Sequence, residues 1–328
     1  MPNPAGAAPA ALEATLRRIA RCAVRALYAE VVLEPKPGLV SLRDNGSHSD
    51  MQAATFVHSL FALRHYFGHM ARAGAAGQPF ATLQGLGLVA EARMLAATGG
   101  INTHRGAVFA LGLLCAAAGR LLRDRWAGAD ARVGAAGPSL LAAGAAVPPG
   151  LDFSAHSLRA CLLQHWGVAL VQRAEAAALA VPVSNGQRAV KTFGLRSAGA
   201  EAALGFPTLF EVTLPTLQQA LQRGLPQRAA RVQALFATMA VLDDTNVAHR
   251  SGMAGVQFVK TAAQAFLQAG GVDQPDWLPQ ARSLHAQCVA QRLSPGGAAD
   301  VLACACWWQE LSPLLTGTQA TVAQLASA

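Results

Sequence analysis

Alternating runs of β-branched and aromatic residues are nearly absent from this 328-residue chain, which has only two tyrosines, while apolar residues recur at helical spacing along most of its length. A chain without period-two patterning cannot present a strand face to a core, so the expected fold is all-α. Helical periodicity predicts helices over Ala10–Leu33, Met51–Ala73, Phe80–Ala97, Ala107–Arg125, Ser154–Leu179, Leu217–Arg223 and Gln227–Leu242, followed by three or four more. Hydrophobic residues make up 52% and charged residues 13%, so several helices must be covered on most sides. The expectation is a single compact multi-helix bundle over residues 1–328 that forms a homodimer. Residues 127–150, rich in Gly, Ala and Pro, read as a flexible connector or loop inside it.

Charge and cysteine usage narrow the function classes. The net charge of +8 comes mostly from arginine, which favours an anionic substrate or an acidic partner. The basic residues are scattered, with no dense run and no aromatic stacking motif, which argues against nucleic acid. Six cysteines, at Cys22, Cys115, Cys161, Cys288, Cys304 and Cys306, show neither CxxC pairs nor disulfide spacing and read as reduced core residues of a cytoplasmic protein. No secretory signal follows the N-terminal arginines, and the longest apolar stretch, Gly106–Gly119, is too short to span a bilayer. No membrane association is expected.

Five polar loops punctuate the helices. In TGGINTHRG, from Thr98 to Gly106, Gly99 and Gly100 free the backbone, and Asn102, Thr103, His104 and Arg105 follow at a helix N-terminus that favours anions. The segment from Glu34 to Met51 holds Glu34 and Lys36 at a proline-stiffened helix exit and ends on Asp50 as a candidate N-cap. Between Ser184 and Pro207, Arg188, Lys191 and Arg196 surround several glycines, with Glu201 on a short helical turn, a pattern suited to polyphosphate. LDDTN, from Leu242, puts Asp243 and Asp244 beside Asn246, with His249 and Arg250 one turn on. Adjacent carboxylates are hard oxygen ligands suited to Mg²⁺ held with substrate phosphates. The last loop, Leu293–Asp300, reads alone as a Pro-Gly helix start. Each loop could be only a cap, but five at helix boundaries suggest one shared polar cleft. Neither a Walker A sequence nor a Rossmann glycine fingerprint occurs.

The ordered set EPKPGLV (34–40), SHSDM (47–51), TGGINTHRG (98–106), GAEAALGFP (199–207), LDDTN (242–246) and SPGGAAD (294–300) resembles the triphosphoribosyl-dephospho-CoA synthase family over roughly Glu30 to Leu311. That resemblance implies an all-α enzyme that joins the triphosphoribosyl part of ATP to the 2′-hydroxyl of 3′-dephospho-CoA and releases adenine. The product is the prosthetic-group precursor for the acyl carrier subunit of citrate lyase or malonate decarboxylase, so enzymes of that pathway are the implied partners. Gly199 and Ala200 stand where the family commonly has Arg and Gly; this is more similar to the malonate decarboxylase branch and leaves the role of Arg196 open.

For such a reaction the loop contents supply candidates. Asp243 and Asp244, with Asp50, are the expected Mg²⁺ ligands. Lys36, Arg105, Lys191 and Arg250 would neutralise phosphate charge, with Gly99, Gly100, Arg196 and Asn246 completing the nucleotide site. Glu34 or Glu201 is the candidate base, and His104 with Asn102 would orient ribose or adenine. Two other classes fit the same loops: a Mg²⁺-dependent nucleosidase or ADP-ribosyl hydrolase, and a non-catalytic helical adaptor for an acidic carrier protein.

Overall fold

A computed structural model describes residues 4–134 and 153–316, which are built from helices, with no strand among the described residues. In chain order they are α1 (Pro4–Val31), α2 (Ala53–Leu63), α3 (Tyr66–Ala75), α4 (Phe80–Ala97), α5 (Arg105–Gly134), α6 (Ala155–Leu179), α7 (Asn185–Phe193), α8 (Ala198–Ala203), a π-helical turn (Thr208–Thr213), α9 (Leu214–Gln222), α10 (Gln227–Val241), α11 (Thr245–Gln268), a 3₁₀ turn (Gly271–Asp273), α12 (Trp277–Ala290) and α13 (Gly296–Thr316). The all-α expectation holds. The helix expected over Met51–Ala73 is two, broken at Arg64–His65, where neither Gly nor Pro marks the break. Of the connector expected at 127–150, residues 127–134 continue α5, and the remainder lies outside the described residues.

The buried side chains of α1 through α13 form one contiguous apolar cluster. Its centre is α5, whose Leu111, Leu114, Cys115, Ala116, Ala117, Ala118 and Leu122 have no exposed surface. A helix apolar on every side must be enclosed on every side, and α1, α3, α4, α6 and α13 surround it. Arg105–Trp126 is long and apolar enough to cross a bilayer, longer than the uncharged stretch suggests, but 72% of its most apolar window is buried against these neighbours. All six cysteines are buried free thiols, as expected of core residues. In α13, Leu302–Trp308 is equally buried, and Trp307 donates its indole N–H to the Ile19 carbonyl at 3.2 Å.

The α3–α5 contact explains two glycines in otherwise helix-favouring sequence. A Cβ on Gly74 would lie 1.9 Å from the Ala116 carbonyl oxygen, and one on Gly119 would lie 2.0 Å from that of Ala71. The two backbones touch, so no methyl fits without separating the helices. Gly74→Ala is therefore expected to lower the unfolding free energy by about 1–3 kcal/mol or more. Gly85→Ala, where nothing lies within 4 Å of the added Cβ, should raise it by about 0.5–1 kcal/mol. Urea denaturation of the two variants measures both signs.

Candidate active site

The chain leaves α1 through Pro35 and Pro37 and folds Lys36 back beneath the helix end. There Nζ donates to the Glu30 carbonyl at 2.7 Å and to its Oε1 at 2.6 Å, with both residues buried. Burial pulls the Lys36 pKa down, opposed by Glu30. His104, also buried, places Nδ1 2.6 Å from Ser59 Oγ and meets the Phe56 ring edge-on. Its Nε2 is buried without a hydrogen-bond partner, as are Thr103 Oγ1 and Arg105 Nε beside it. Burial, with the Lys36 charge, pushes the His104 imidazole down to about 3 from 6.5, so the ring is neutral near pH 7.

That shift makes an acid-stability prediction. The unfolded chain takes up a proton at His104 below pH 6.5 while the folded chain resists until about pH 3, so the contribution is complete above 6.5 and is lost as pH falls toward 3. Between pH 7 and pH 4.5 the stability gap between the parent and His104→Gln should move in the variant's favour by about 2–3 kcal/mol. Urea midpoints for both proteins at the two pH values test it; a constant gap contradicts the assignment.

Two carboxylates tie three helix N-termini together. Asp244 caps α11, where Oδ1 accepts the N–H groups of Asn246 (2.9 Å) and Val247 (3.3 Å), while Oδ2 accepts the Ala298 N–H of α13 at 3.1 Å. Burial raises its pKa, and the backbone N–H donors oppose the rise. Asp300, five residues into α13, reaches the start of α5 and accepts the Ala107 N–H. Its Oδ2 sits 2.0 Å from where a Cβ on Gly106 would be, so the glycine of THRG is required by this carboxylate. Burial, then the nearby Glu30 and Asp244 charges, raise the Asp300 carboxyl well above the usual range. Unlike Asp244 and Glu30, Asp300 keeps a partly exposed face. The N-termini of α5, α11 and α13 thus meet beside it, where their N–H groups and positive ends favour the two carboxylates.

The other expected residues divide. Asn246 lies against Gly296, its Nδ2 2.9 Å from the position of an added Cβ, and Gly186 at the start of α7 approaches Thr245 Oγ1, so the third, fourth and fifth loops meet. Lys191 is exposed in the last turn of α7. Arg250 donates to the Ser47 carbonyl and contacts His48 Nδ1, both at 3.1 Å, while His48 Nε2 lies 2.8 Å from Ser294 Oγ; this stitches the second loop to the fifth. Asn102 caps α5 by accepting the Arg105 N–H at 3.1 Å. Gly99 and Gly100 take left-handed conformations at the end of α4, with open space around them. Arg105 is paired with Glu91 of α4, so its charge is already met.

Three expectations need correction. Glu34 accepts from Arg228 at 2.6 Å and from Arg282 at 2.9 Å, and the Arg282 guanidinium holds its pKa below the carboxylate norm, which makes it a weak base. It lines a cavity of about 170 Å³ with Lys36, Arg43, Asp44, Arg282 and His285. Glu201 has both oxygens engaged, Oε1 by the Thr208 N–H at 2.6 Å and Oε2 by Arg196 at 3.1 Å, so this pair fixes the entry to the π-helical turn. Asp50, Asp243 and Asp244 do not form one Mg²⁺ ligand set: Asp50 lies 3.6 Å from His48, Asp243 pairs with Lys260, and Asp244 is committed to backbone donors. Among the described residues the one metal-like trio is Asp124, Cys161 and His165, on other elements. Ser59 and the role of Asp300 escaped sequence reasoning because each acts on a residue distant in the chain, and Glu30 because only the fold of the proline-rich exit turns Lys36 back onto it.

Residues 16–318 match the family model of ATP:dephospho-CoA triphosphoribosyl transferases (CitG). The chain belongs to that family. It is 37% identical over 311 residues (93% of this chain, 94% of the relative) to a probable 2-(5″-triphosphoribosyl)-3′-dephosphocoenzyme-A synthase of Stutzerimonas stutzeri. Likeness to the synthase of Klebsiella pneumoniae is 36% over 285 residues (85% of this chain, 86% of the relative), and to a probable synthase of Acinetobacter calcoaceticus 35% over 277 residues (84% and 85%). No solved structure matches. The matched range holds Lys36, His104, Asp244 and Asp300, so the triphosphoribosyl transferase family spans the whole buried cluster.

Proposed function

We propose that the transferase chemistry takes place where the N-termini of α5, α11 and α13 meet, with Asp300 as the base. The reaction breaks the C1′–N9 bond of ATP, forms a bond from C1′ to the 2′-oxygen of 3′-dephospho-CoA, moves the hydroxyl proton to a base and delivers one proton to the departing purine so that it leaves as neutral adenine, through a transition state of oxocarbenium character. The observation that carries this reading is the meeting of three helix N-termini at two neighbouring carboxyls, the buried Asp244 at α11 and α13 and the partly exposed Asp300 at α5, beside unpartnered polar atoms of Thr103 and His104. Helix ends and the cations Lys191 and Arg250 suit the triphosphate. A carboxyl whose pKa is raised well above the usual carboxylate range is the stronger base, and better matched to take a hydroxyl proton than the arginine-bound Glu34. His104, neutral and held by Ser59, supplies a hydrogen-bonding edge rather than a charge.

The Gly199–Ala200 departure supports service to malonate decarboxylase, the six free cysteines suit the reducing cytoplasm, and the exposed apolar Phe61, Leu88, Val89 and Val168 support a homodimer. Incubating the protein with ATP and dephospho-CoA, and following adenine and the new nucleotide by chromatography, tests the reaction. Adenine must appear only when dephospho-CoA is present. Release at the same rate without it would make the chain a nucleosidase instead.

A further inference from the structure

Away from the three helix ends, α5 and α6 bring together a second set of reactive side chains. Cys161 and His165 are four residues apart on α6, and that spacing puts both on one helix face. Asp124 faces them from α5. Its Oδ2 is 3.4 Å from His165 Nε2, and one potential ligand atom from each of the three residues lies within 4.8 Å of the others. Cys161 is buried against α5, with Sγ 3.6 Å from the Ala117 carbonyl oxygen, while His165 and Asp124 are partly exposed, so an ion can arrive from solvent.

We propose that Asp124, Cys161 and His165 form a three-ligand site for a borderline-soft divalent transition metal of the Zn²⁺ type, which fastens α5 to α6. A thiol, an imidazole and a carboxylate are the donor set that zinc accepts and Mg²⁺ or Ca²⁺ does not favour. Zinc binds sulfur at about 2.3 Å and nitrogen or oxygen at about 2.0–2.2 Å, so the present spacing needs only small side-chain rotations. On binding, the Cys161 S–H loses its proton to solvent, sulfur, nitrogen and oxygen each donate an electron pair, and the fourth position keeps a water. In the metal-free arrangement burial and the Asp124 charge push the Cys161 thiol up to about 12. A bound dication reverses that bias. Arg120 holds Asp124 at 3.0 Å and is the competitor the metal displaces.

The test is titration of the full chain with Co²⁺ and then Zn²⁺ under a non-thiol reductant. A near-ultraviolet thiolate-to-cobalt band that saturates at one equivalent and is abolished by Zn²⁺ is the expected result. Cys161→Ser should remove the band, Asp124→Asn and His165→Ala should each weaken binding by about tenfold or more, and Arg120→Gln should tighten it. Adenine release by Asp124→Asn should match the parent, since Asp124 lies outside the transferase site. No band in the parent, or an undiminished band in Cys161→Ser, overturns the proposal.

Discussion

Replacing Lys36 with Met should destabilise the protein by about 3–5 kcal/mol, the cost of leaving a buried carboxylate without its partner. Lys36 and Glu30 are both nearly inaccessible, with side-chain exposures of 1% and 7%, and Nζ gives the Glu30 carboxylate its nearest positive charge at 2.6 Å. Methionine matches the length of the lysine stem but cannot donate, so the loss falls on Glu30 and on its carbonyl, which also accepts from Nζ. The double variant Lys36→Met/Glu30→Gln removes both charges and should recover most of the stability. A double-mutant cycle on urea midpoints reads the coupling directly. If Lys36→Met alone unfolds within about 1 kcal/mol of the parent, the side chain is not the partner of Glu30 in solution, because an exposed ion pair is worth no more than that. The cycle also bears on the active site, since Glu30 is one of the charges that raise Asp300.

The helices were legible because burial on several sides leaves a compositional mark. The α5 stretch has no room for charge between Gly106 and Gly119, and the structure encloses it. Lys36, His104, Asp244 and Asn246 were legible as polar residues misplaced among apolar helices, and they do lie on loops that contact one another. What each does there was not legible. Asp243 and Asp244 are chemically identical neighbours, yet one pairs with Lys260, which lies beyond the kink in α11 at Gly252, and the other spans two helix starts. No local rule separates them; only the position of α13 does. Asp300 read as an ordinary first-turn acid because its partner, the Ala107 N–H, lies nearly two hundred residues earlier in the chain. The break at Arg64–His65 was invisible for a different reason: the apolar stripe continues across it in register, and Arg64 closes the turn through its own hydrogen bond to the Phe61 carbonyl.

Asp300→Asn should lower kcat by about 10²–10⁴-fold, the usual contribution of a positioned general base, while KM for ATP changes little. The amide keeps the shape of the carboxyl and can still accept the Ala107 N–H, so the start of α5 stays in place and the fold survives. What it loses is the ability to take a proton. The parent needs Asp300 ionised, and because burial with Glu30 and Asp244 raises its pKa well above the normal carboxylate value, activity should climb with pH through that raised ionisation. In Asp300→Asn the climb should vanish along with the rate. Glu34→Gln is the control, because Glu34 is already bound by Arg228 and Arg282 and carries no proton to exchange near neutrality. It should leave kcat within a few-fold of the parent and keep the pH profile. The reverse outcome, a large loss in Glu34→Gln with Asp300→Asn nearly unaffected, would move the chemistry from the helix ends to the arginine-lined cavity beside Glu34. Melting curves for both variants separate loss of chemistry from loss of fold, and a Gly106→Ala variant ties the two together: its methyl would occupy the space of Asp300 Oδ2, so it should damage turnover even with every candidate side chain intact.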